Sequence, residues 1–291
     1  MLNNNNTIIF LLLLLILLHQ LPLFTPTNAY IFIYAGCSQQ KYQPSSSYEP
    51  NLNSLLTSLV SSSSQTLYNN FSANTPPVYA LYQCRGDLTL TDCSSCIHSA
   101  VSQVGLVCPY SYGATLQLEG CYIRYEQFDF VGLPDLTVMY KRCSRSNGVD
   151  DNGSGVGGEF LSRRDEVLGA LESGDGFRVS RAGSVQGFGQ CMGDLSGSDC
   201  SACLSEAVKE LKLLCGSAAA AHVYLAKCFA QYWADGYYDL STGGVSGIHH
   251  ILVNNNHNDR RNIHILVTNN CYTSNFIFLA GLISCIVIVF I

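Results

Sequence analysis

Apolar residues along this chain fall into a short series of patterns, and the series occurs twice. After an apolar run from Ile8 to Leu18, Tyr30 to Gly36 is apolar and rich in β-forming residues, which predicts a strand. Leu52, Leu55, Leu56, Leu59 and Val60 recur at helical spacing behind Asn51, a residue suited to a helix start. Val78 to Gln83 reads as a short strand. Ile97, Ala100, Val101 and Val104 then make one buried stripe of a second helix, with Asp92 placed to cap it. Thr115 to Tyr125 alternates like strands. The order then returns. Phe160, Val167, Leu168 and Leu171 form a stripe, with Arg163, Arg164 and Asp165 expected on the other face. Asp199 precedes Leu204, Ala207, Val208 and Leu211, and His222 to Trp233 alternates again. Val138 to Lys141 predicts a strand that closes the first sheet. Asn147 to Gly158, rich in Gly, Asp and Ser, predicts a flexible segment inside the second unit.

The cysteines fix this repeat. Cys37, Cys84, Cys93, Cys96, Cys108 and Cys121 return as Cys143, Cys191, Cys200, Cys203, Cys215 and Cys228, offset by 106 for the first pair and 107 for the rest. A constant offset over that length means a duplicated domain. Each unit reads as two helices packed on an antiparallel sheet, an α+β module. The boundary is expected near Leu133 to Thr137. The organisation predicted is a signal peptide (1–29), a first module (30–135), a second module (136–240), a stalk (241–271) and an apolar C-terminal segment (272–291).

The ends give the compartment. Ile8 to Leu18 has the length of a signal-peptide core, and Thr27-Asn28-Ala29 offers small residues for cleavage after Ala29. Phe276 to Ile291 is a run of 16 residues without a charge. As a helix it reaches about 24 Å, and adding Tyr272 to Asn275 lets it cross a hydrocarbon core of about 30 Å. A transmembrane helix is the expectation, with a lipid-anchor signal as the alternative. Two sequons, at Asn70 and Asn152, are candidate glycosylation sites. Charged residues make up only 12% of the chain, its net charge is −6, and no basic stripe occurs, so no nucleic-acid partner is expected.

Three chemistries compete for the Cys84-x8-Cys93-x2-Cys96 cluster and its repeat. A structural zinc site wants four ligands, and each Cys-x2-Cys supplies two. A redox pair wants an activated thiol at a helix start, where Cys93 and Cys200 sit. Structural disulfides want an even count and an oxidising compartment, and both conditions hold. Disulfides are therefore expected for all twelve repeated cysteines. Six cysteines allow 15 pairings, among which spacing alone does not choose. Cys271 and Cys285 fall outside the repeats. No hydrolase elbow, zinc-protease pair, phosphate loop or dinucleotide fingerprint occurs, so no catalytic residue, metal ligand or cofactor site is expected. Glu119, Glu126 and Asp129 read as surface carboxylates, and His249, His250, His257 and His264 as stalk residues.

The cluster, the further spacings of 12 and 13, and the duplication resemble the plant ginkbilobin-like cysteine-rich (stress-antifungal) family across residues 30–240. The double module followed by an apolar segment is similar to the plasmodesmata-located members. The resemblance implies the bonds Cys37–Cys108, Cys84–Cys93, Cys96–Cys121, Cys143–Cys215, Cys191–Cys200 and Cys203–Cys228. In single-module relatives that bind mannose, the contact positions correspond to Ser38, Thr115 and Glu126 here, and in the second module to Ser144, His222 and Trp233. Only Glu126 keeps the expected chemistry. The function implied is that of a non-enzymatic, membrane-attached extracellular protein at plasmodesmata, modulating cell-to-cell trafficking in connection with callose and defence. The alternative is a secreted lectin-like antifungal protein that binds wall carbohydrate. The partners implied are the membrane, receptor-like proteins or a second copy, and a cell-wall glycan.

Overall fold

The computed structural model describes residues 30–144, 156–173, 176–234 and 263–265. The expected signal peptide, Asn152, most of the stalk, Cys271, Cys285 and the apolar tail lie outside the described residues. No helix among the described residues is long and apolar enough to cross a membrane.

The first module runs β1 (Phe32–Ser38), α1 (Tyr48–Ser62), β2 (Tyr68–Asn74), β3 (Pro77–Cys84), α2 (Leu90–Val107), β4 (Ala114–Leu118) and β5 (Cys121–Glu126). The second runs β6 (Val138–Cys143), α3 (Val156–Leu171), β7 (Phe177–Ala182), β8 (Val185–Cys191), α4 (Gly197–Cys215), β9 (Ala220–Leu225) and β10 (Cys228–Ala234). Both sheets are antiparallel and have the same strand order, β1-β4-β5-β3-β2 and β6-β9-β10-β8-β7. Each module is thus α+β, with two helices on a five-stranded sheet. A short strand from the stalk, β11 (Ile263–Ile265), pairs with the outer edge of β1.

The helical stripes bury as their spacing demands. Leu52, Leu55 and Leu59 of α1 join Ile97, Ala100 and Val104 of α2 in the first core. Val167, Leu168 and Leu171 of α3 join Leu204, Ala207, Val208 and Leu211 of α4 in the second. Three disulfides staple each module. Cys37–Cys108 and Cys143–Cys215 tie the first strand to the end of the second helix. Cys84–Cys93 and Cys191–Cys200 tie a strand end to the helix that follows. Cys96–Cys121 and Cys203–Cys228 pin that same helix to the central strand.

Four local expectations need correction. Val138 to Lys141 does not close the first sheet. It belongs to β6, which pairs with β9 and is the second module's counterpart of β1. Asn51 is not a cap but lies within α1, and its Nδ2 donates to the carbonyls of Thr75 and Pro76. Arg164 is buried on α3, where it donates to the Gly216 carbonyl and to Asp165 at 2.9 Å. Val156–Gly158, expected as the end of a flexible segment, form the first turn of α3.

The caps of α2 and α4 are also shifted from the expected positions. Thr89 and Ser196 are the N-caps, and their hydroxyls accept from the backbone N–H of Asp92 and Asp199 at 3.1 and 3.2 Å. The Asp carboxylates accept in turn from those hydroxyls at 2.7 and 2.6 Å. The favourable interaction with the free N–H groups thus comes from Thr and Ser, with an acidic group in the first turn of the helix. Thr89→Ala and Ser196→Ala are each expected to lower unfolding free energy by about 1 kcal/mol in urea titrations.

Candidate functional site

Alternation along the central strands gives each sheet two faces. In β5, Cys121, Ile123 and Tyr125 meet the helices, while Tyr122, Arg124 and Glu126 point to the other side. In β10, Cys228, Ala230 and Tyr232 meet the helices, while Phe229, Gln231 and Trp233 point away. All of β5, and all of β10 except Ala234, is buried. A sheet with water on one side does not look like this.

The two inner faces cover each other. A third apolar cluster draws on both modules, including Tyr34, Leu81 and Tyr122 from the first and Phe188, Tyr224 and Phe229 from the second. Tyr34 and Tyr140 hold equivalent places in the two repeats and stack with ring centroids 6.1 Å apart. Tyr224 meets both of them edge-on.

The polar contacts across this seam show an approximate two-fold relation. The Gly193 N–H donates to Gln83 Oε1 at 2.9 Å, and the Gly86 N–H donates to Gln190 Oε1 at 3.1 Å. Gln83 and Gln190 are equivalent residues, as are Gly86 and Gly193, so one contact is made twice. Both glycines are required by close approach. A Cβ on Gly86 would overlap the Phe177 side chain, and one on Gly193 would fall 2.7 Å from Tyr68 Cγ. Tyr68 and Phe177 are themselves equivalent, each lying opposite one of the two glutamines.

The interdomain linker is clasped where this symmetry fails. Lys227 and Asp194 form an ion pair with both side chains only 2% exposed. Lys227 Nζ also donates to the Phe130 carbonyl at 3.0 Å, and Asp194 accepts from the Gly132 N–H at 2.8 Å. Burial pushes the Lys227 ammonium below its ordinary value, and Asp194 opposes that shift. From the first module, Arg124 reaches Glu126 at 3.1 Å and Asp135 at 3.9 Å, with its guanidinium 4.4 Å from the Phe130 ring centre.

The positions at which the resemblance implies carbohydrate contact lie on and beside these inner faces. Thr115 is 5% and Glu126 9% exposed, and Glu126 is held by Arg124. Ser38 is part-buried at the end of β1, with its N–H on the Gly113 carbonyl at 2.8 Å. In the second module, Ser144 Oγ accepts from the Ala220 N–H at 3.1 Å. His222 lies beside Arg142 and Gln231, and its imidazole is held down to about 3, by burial first and by the Arg142 cation second. Trp233 packs edge-on against Phe188 at 5.6 Å and is no platform for a sugar. Glu119 also lies at the seam, paired with Arg85 at 3.3 Å; burial raises its carboxyl. No metal-ligating group of three or more His, Cys, Asp or Glu occurs among the described residues. Asn70 is exposed on β2, its Nδ2 donating to Tyr68 Oη at 3.0 Å. The sequence reading did not single out the glutamine–glycine pairs, Lys227 or Asp194. The glutamines, the glycines and Asp194 carried a signal, since each recurs at the cysteine offset, Asp194 as Asp87; Lys227, whose counterpart is Gly120, did not.

Removing one partner of the Lys227–Asp194 pair strands the other charge. Lys227→Met is expected to cost about 3–5 kcal/mol in urea titrations, and the double variant with Asp194→Leu to recover most of that. For His222 the folded value lies below the unfolded value of about 6.5. Its neutral form therefore contributes stability in full above that pH, and the contribution is lost as pH falls from there towards 3. Its ring proton shifts should stay flat between pH 8 and 5 in NMR titrations, while overall stability falls with acidification.

The salt stress response/antifungal family model matches residues 36–128 and again residues 142–235. Plasmodesmata-located protein 8 of Arabidopsis thaliana is 50% identical over 230 residues, 76% of this chain and 80% of that protein. The antimicrobial ginkbilobin-2-like protein of Castanea crenata is 30% identical over 210 residues, 69% of this chain and 86% of that one. The crystal structure of the tandem DUF26 ectodomain of the Arabidopsis thaliana cysteine-rich receptor-like protein PDLP8 superposes with a TM-score of 0.67 at 52% identity, covering 70% of this chain and 98% of that one. With both halves matched and the tandem arrangement shared, this chain belongs to the salt stress response/antifungal family as a two-module member.

Proposed function

We propose that this chain is a non-enzymatic, membrane-attached extracellular protein that acts at plasmodesmata and modulates cell-to-cell trafficking in connection with callose and defence. The observation that carries the reading is the likeness to four plasmodesmata-located proteins of Arabidopsis thaliana, numbered 5 to 8, at 45–50% identity. The geometry agrees with a presenting role. The acidic side chains of the seam are committed to ion pairs, and the twelve repeated cysteines are consumed in disulfides. What remains is a rigid two-module body, held to the membrane by the apolar C-terminal segment. Receptor-like proteins and wall glycans are the partner classes, and Asn70 and Asn152 are the glycosylation sites of this reading.

The lectin-like alternative has the antimicrobial relative in its favour. Against it stand Thr115, Glu126 and Trp233, all turned inward where a glycan has no access.

A fluorescent fusion of the full chain tests the proposal. Punctate wall staining that persists after plasmolysis is the expected outcome. Diffuse extracellular signal, together with binding to mannose-type glycans on an array, would transfer the function to the alternative.

A further inference from the structure

The two modules are built alike, yet the outer faces of α2 and α4 differ in charge. Residues 98–112, the second half of α2 and the chain just after it, contain no Asp, Glu, Lys or Arg. The equivalent residues 205–219 carry Glu206, Lys209, Glu210 and Lys212, in place of Ser99, Ser102, Gln103 and Gly105. Leu106 comes next in α2. It is 76% exposed, the highest value for a large apolar side chain among the described residues, and Tyr110 is exposed just beyond it. Leu213, the counterpart of Leu106, is also exposed, but it shares its helix face with Lys209 and Glu210. The counterpart of Tyr110 is Ser217.

The stalk returns to this end of the first module. β11 lies along β1 with His264 opposite Cys37. Cys37 is bonded to Cys108, with their Cα atoms 5.3 Å apart, and its Sγ lies 3.6 Å from the Val107 carbonyl. Opposed strand residues have Cα atoms about 4.5–5.5 Å apart, so β11 passes within about 20 Å of Leu106. Chain length then sets the reach. Ten residues, 266–275, separate β11 from Phe276, where the uncharged apolar run begins. At about 3.3–3.6 Å per residue they span about 35 Å at most. With β11 released, 41 residues would lie between Ala234 and Phe276, and the reach would grow to about 140 Å.

We propose that the outer face of α2, with Leu106 and Tyr110, is the surface of this ectodomain that lies against the lipid bilayer, and that β11 holds it there. The inference rests on the membrane attachment proposed for this chain. Pressing a charged face against a bilayer strips water from its charges, a cost that an uncharged face does not incur. The outer face of α2 is uncharged over its second half, and that of α4 is not. Leu106 supplies an apolar contact, and Tyr110 an amphipathic ring of the kind that settles at a membrane–water interface. Lys41, whose ammonium donates to the Pro109 carbonyl at 3.0 Å, adds a cation at the rim suited to lipid phosphate. The tether selects the occupant. A face held within about 35 Å of its own anchor meets that membrane at high effective concentration, so a contact too weak for a free protein is enough here.

The test uses full-length protein reconstituted into phosphatidylcholine vesicles, with or without bromine on the acyl chains near the headgroups. Bromine quenches tryptophan only at short range, and Trp233, buried in the seam, supplies the wild-type background. Leu106→Trp should add emission that brominated lipid lowers at least about twofold. Emission added by Leu213→Trp, at a position 68% exposed on α4, should be the same in both lipids. Flotation of the vesicles keeps the two readings apart. Protein that does not float overturns the membrane attachment and this inference with it. Protein that floats with both tryptophans quenched alike, or with neither quenched, overturns the inference alone. A second arm addresses β11. Neighbouring residues of a strand face opposite edges, so His264→Pro with Ile265→Pro removes one N–H directed at β1. Added to Leu106→Trp, this pair should bring quenching down to the Leu213→Trp level with flotation intact. Quenching that persists would overturn the role given to the stalk strand, and with it the proposal as stated.

Discussion

Each sheet of this protein has two apolar faces, and its own helices cover only one. The remaining structure depends on how the second face is buried. Fully burying a large apolar side chain contributes about 1.5–3 kcal/mol, against a net domain stability of about 5–15 kcal/mol. Tyr34, Tyr122, Phe188, Phe229 and Trp233 therefore carry enough free energy between them to decide whether the modules stay together. The disulfides do not do this. Among the described residues all six close within a module and none of them crosses the seam. The staples make each module a stiff unit, and burial of the inner faces makes the two units one body.

That division has a functional consequence. The positions at which the resemblance implies carbohydrate contact are, in this chain, spent on the seam or beside it. Thr115 and Glu126 are buried, and Trp233 is packed on Phe188. Among the described residues of this chain, the surfaces left exposed are helix faces and edge strands. The backbone already uses one of these, since β11 returns from the stalk to lie along β1.

Much of this architecture was legible in the sequence because its signals are local. The cysteine offset gave the duplication, the stripes gave all four helices, and Thr115 to Tyr125 gave strands. Non-local pairing was not legible. Val138 to Lys141 reads in sequence as the strand that closes the first sheet, yet its partner is β9, far along the chain. β2 and β7 escaped notice because edge strands such as Tyr68–Asn74 carry mostly polar residues and no apolar run. The caps were misplaced by three residues because Asp92 and Asp199 are themselves good cap residues, and only the geometry shows the hydroxyls of Thr89 and Ser196 taking that role. The seam did leave a mark: Tyr122, Phe229 and Trp233 interrupt the expected polar face of their strands. A strand apolar on both sides calls for a layer on both sides.

The departures from two-fold equivalence follow from the linker. A duplicated module docked on its twin can make every contact twice, and the Gln83–Gly193 and Gln190–Gly86 bonds do so. A linker exists only once, so whatever holds it has no second copy to serve. Lys227 grips the Phe130 carbonyl, and its counterpart in the first module is Gly120. Asp194, its side chain 2% exposed, accepts from the Gly132 N–H, whereas its counterpart Asp87 is exposed and paired with Arg85. Arg124 reaches Asp135 and lies over Phe130, and its counterpart is the neutral Gln231. A buried charge is tolerable only where a partner meets it. Placing these three charges around the single linker therefore fixes which way the chain crosses from one sheet to the other, a choice that the symmetric contacts alone would leave open.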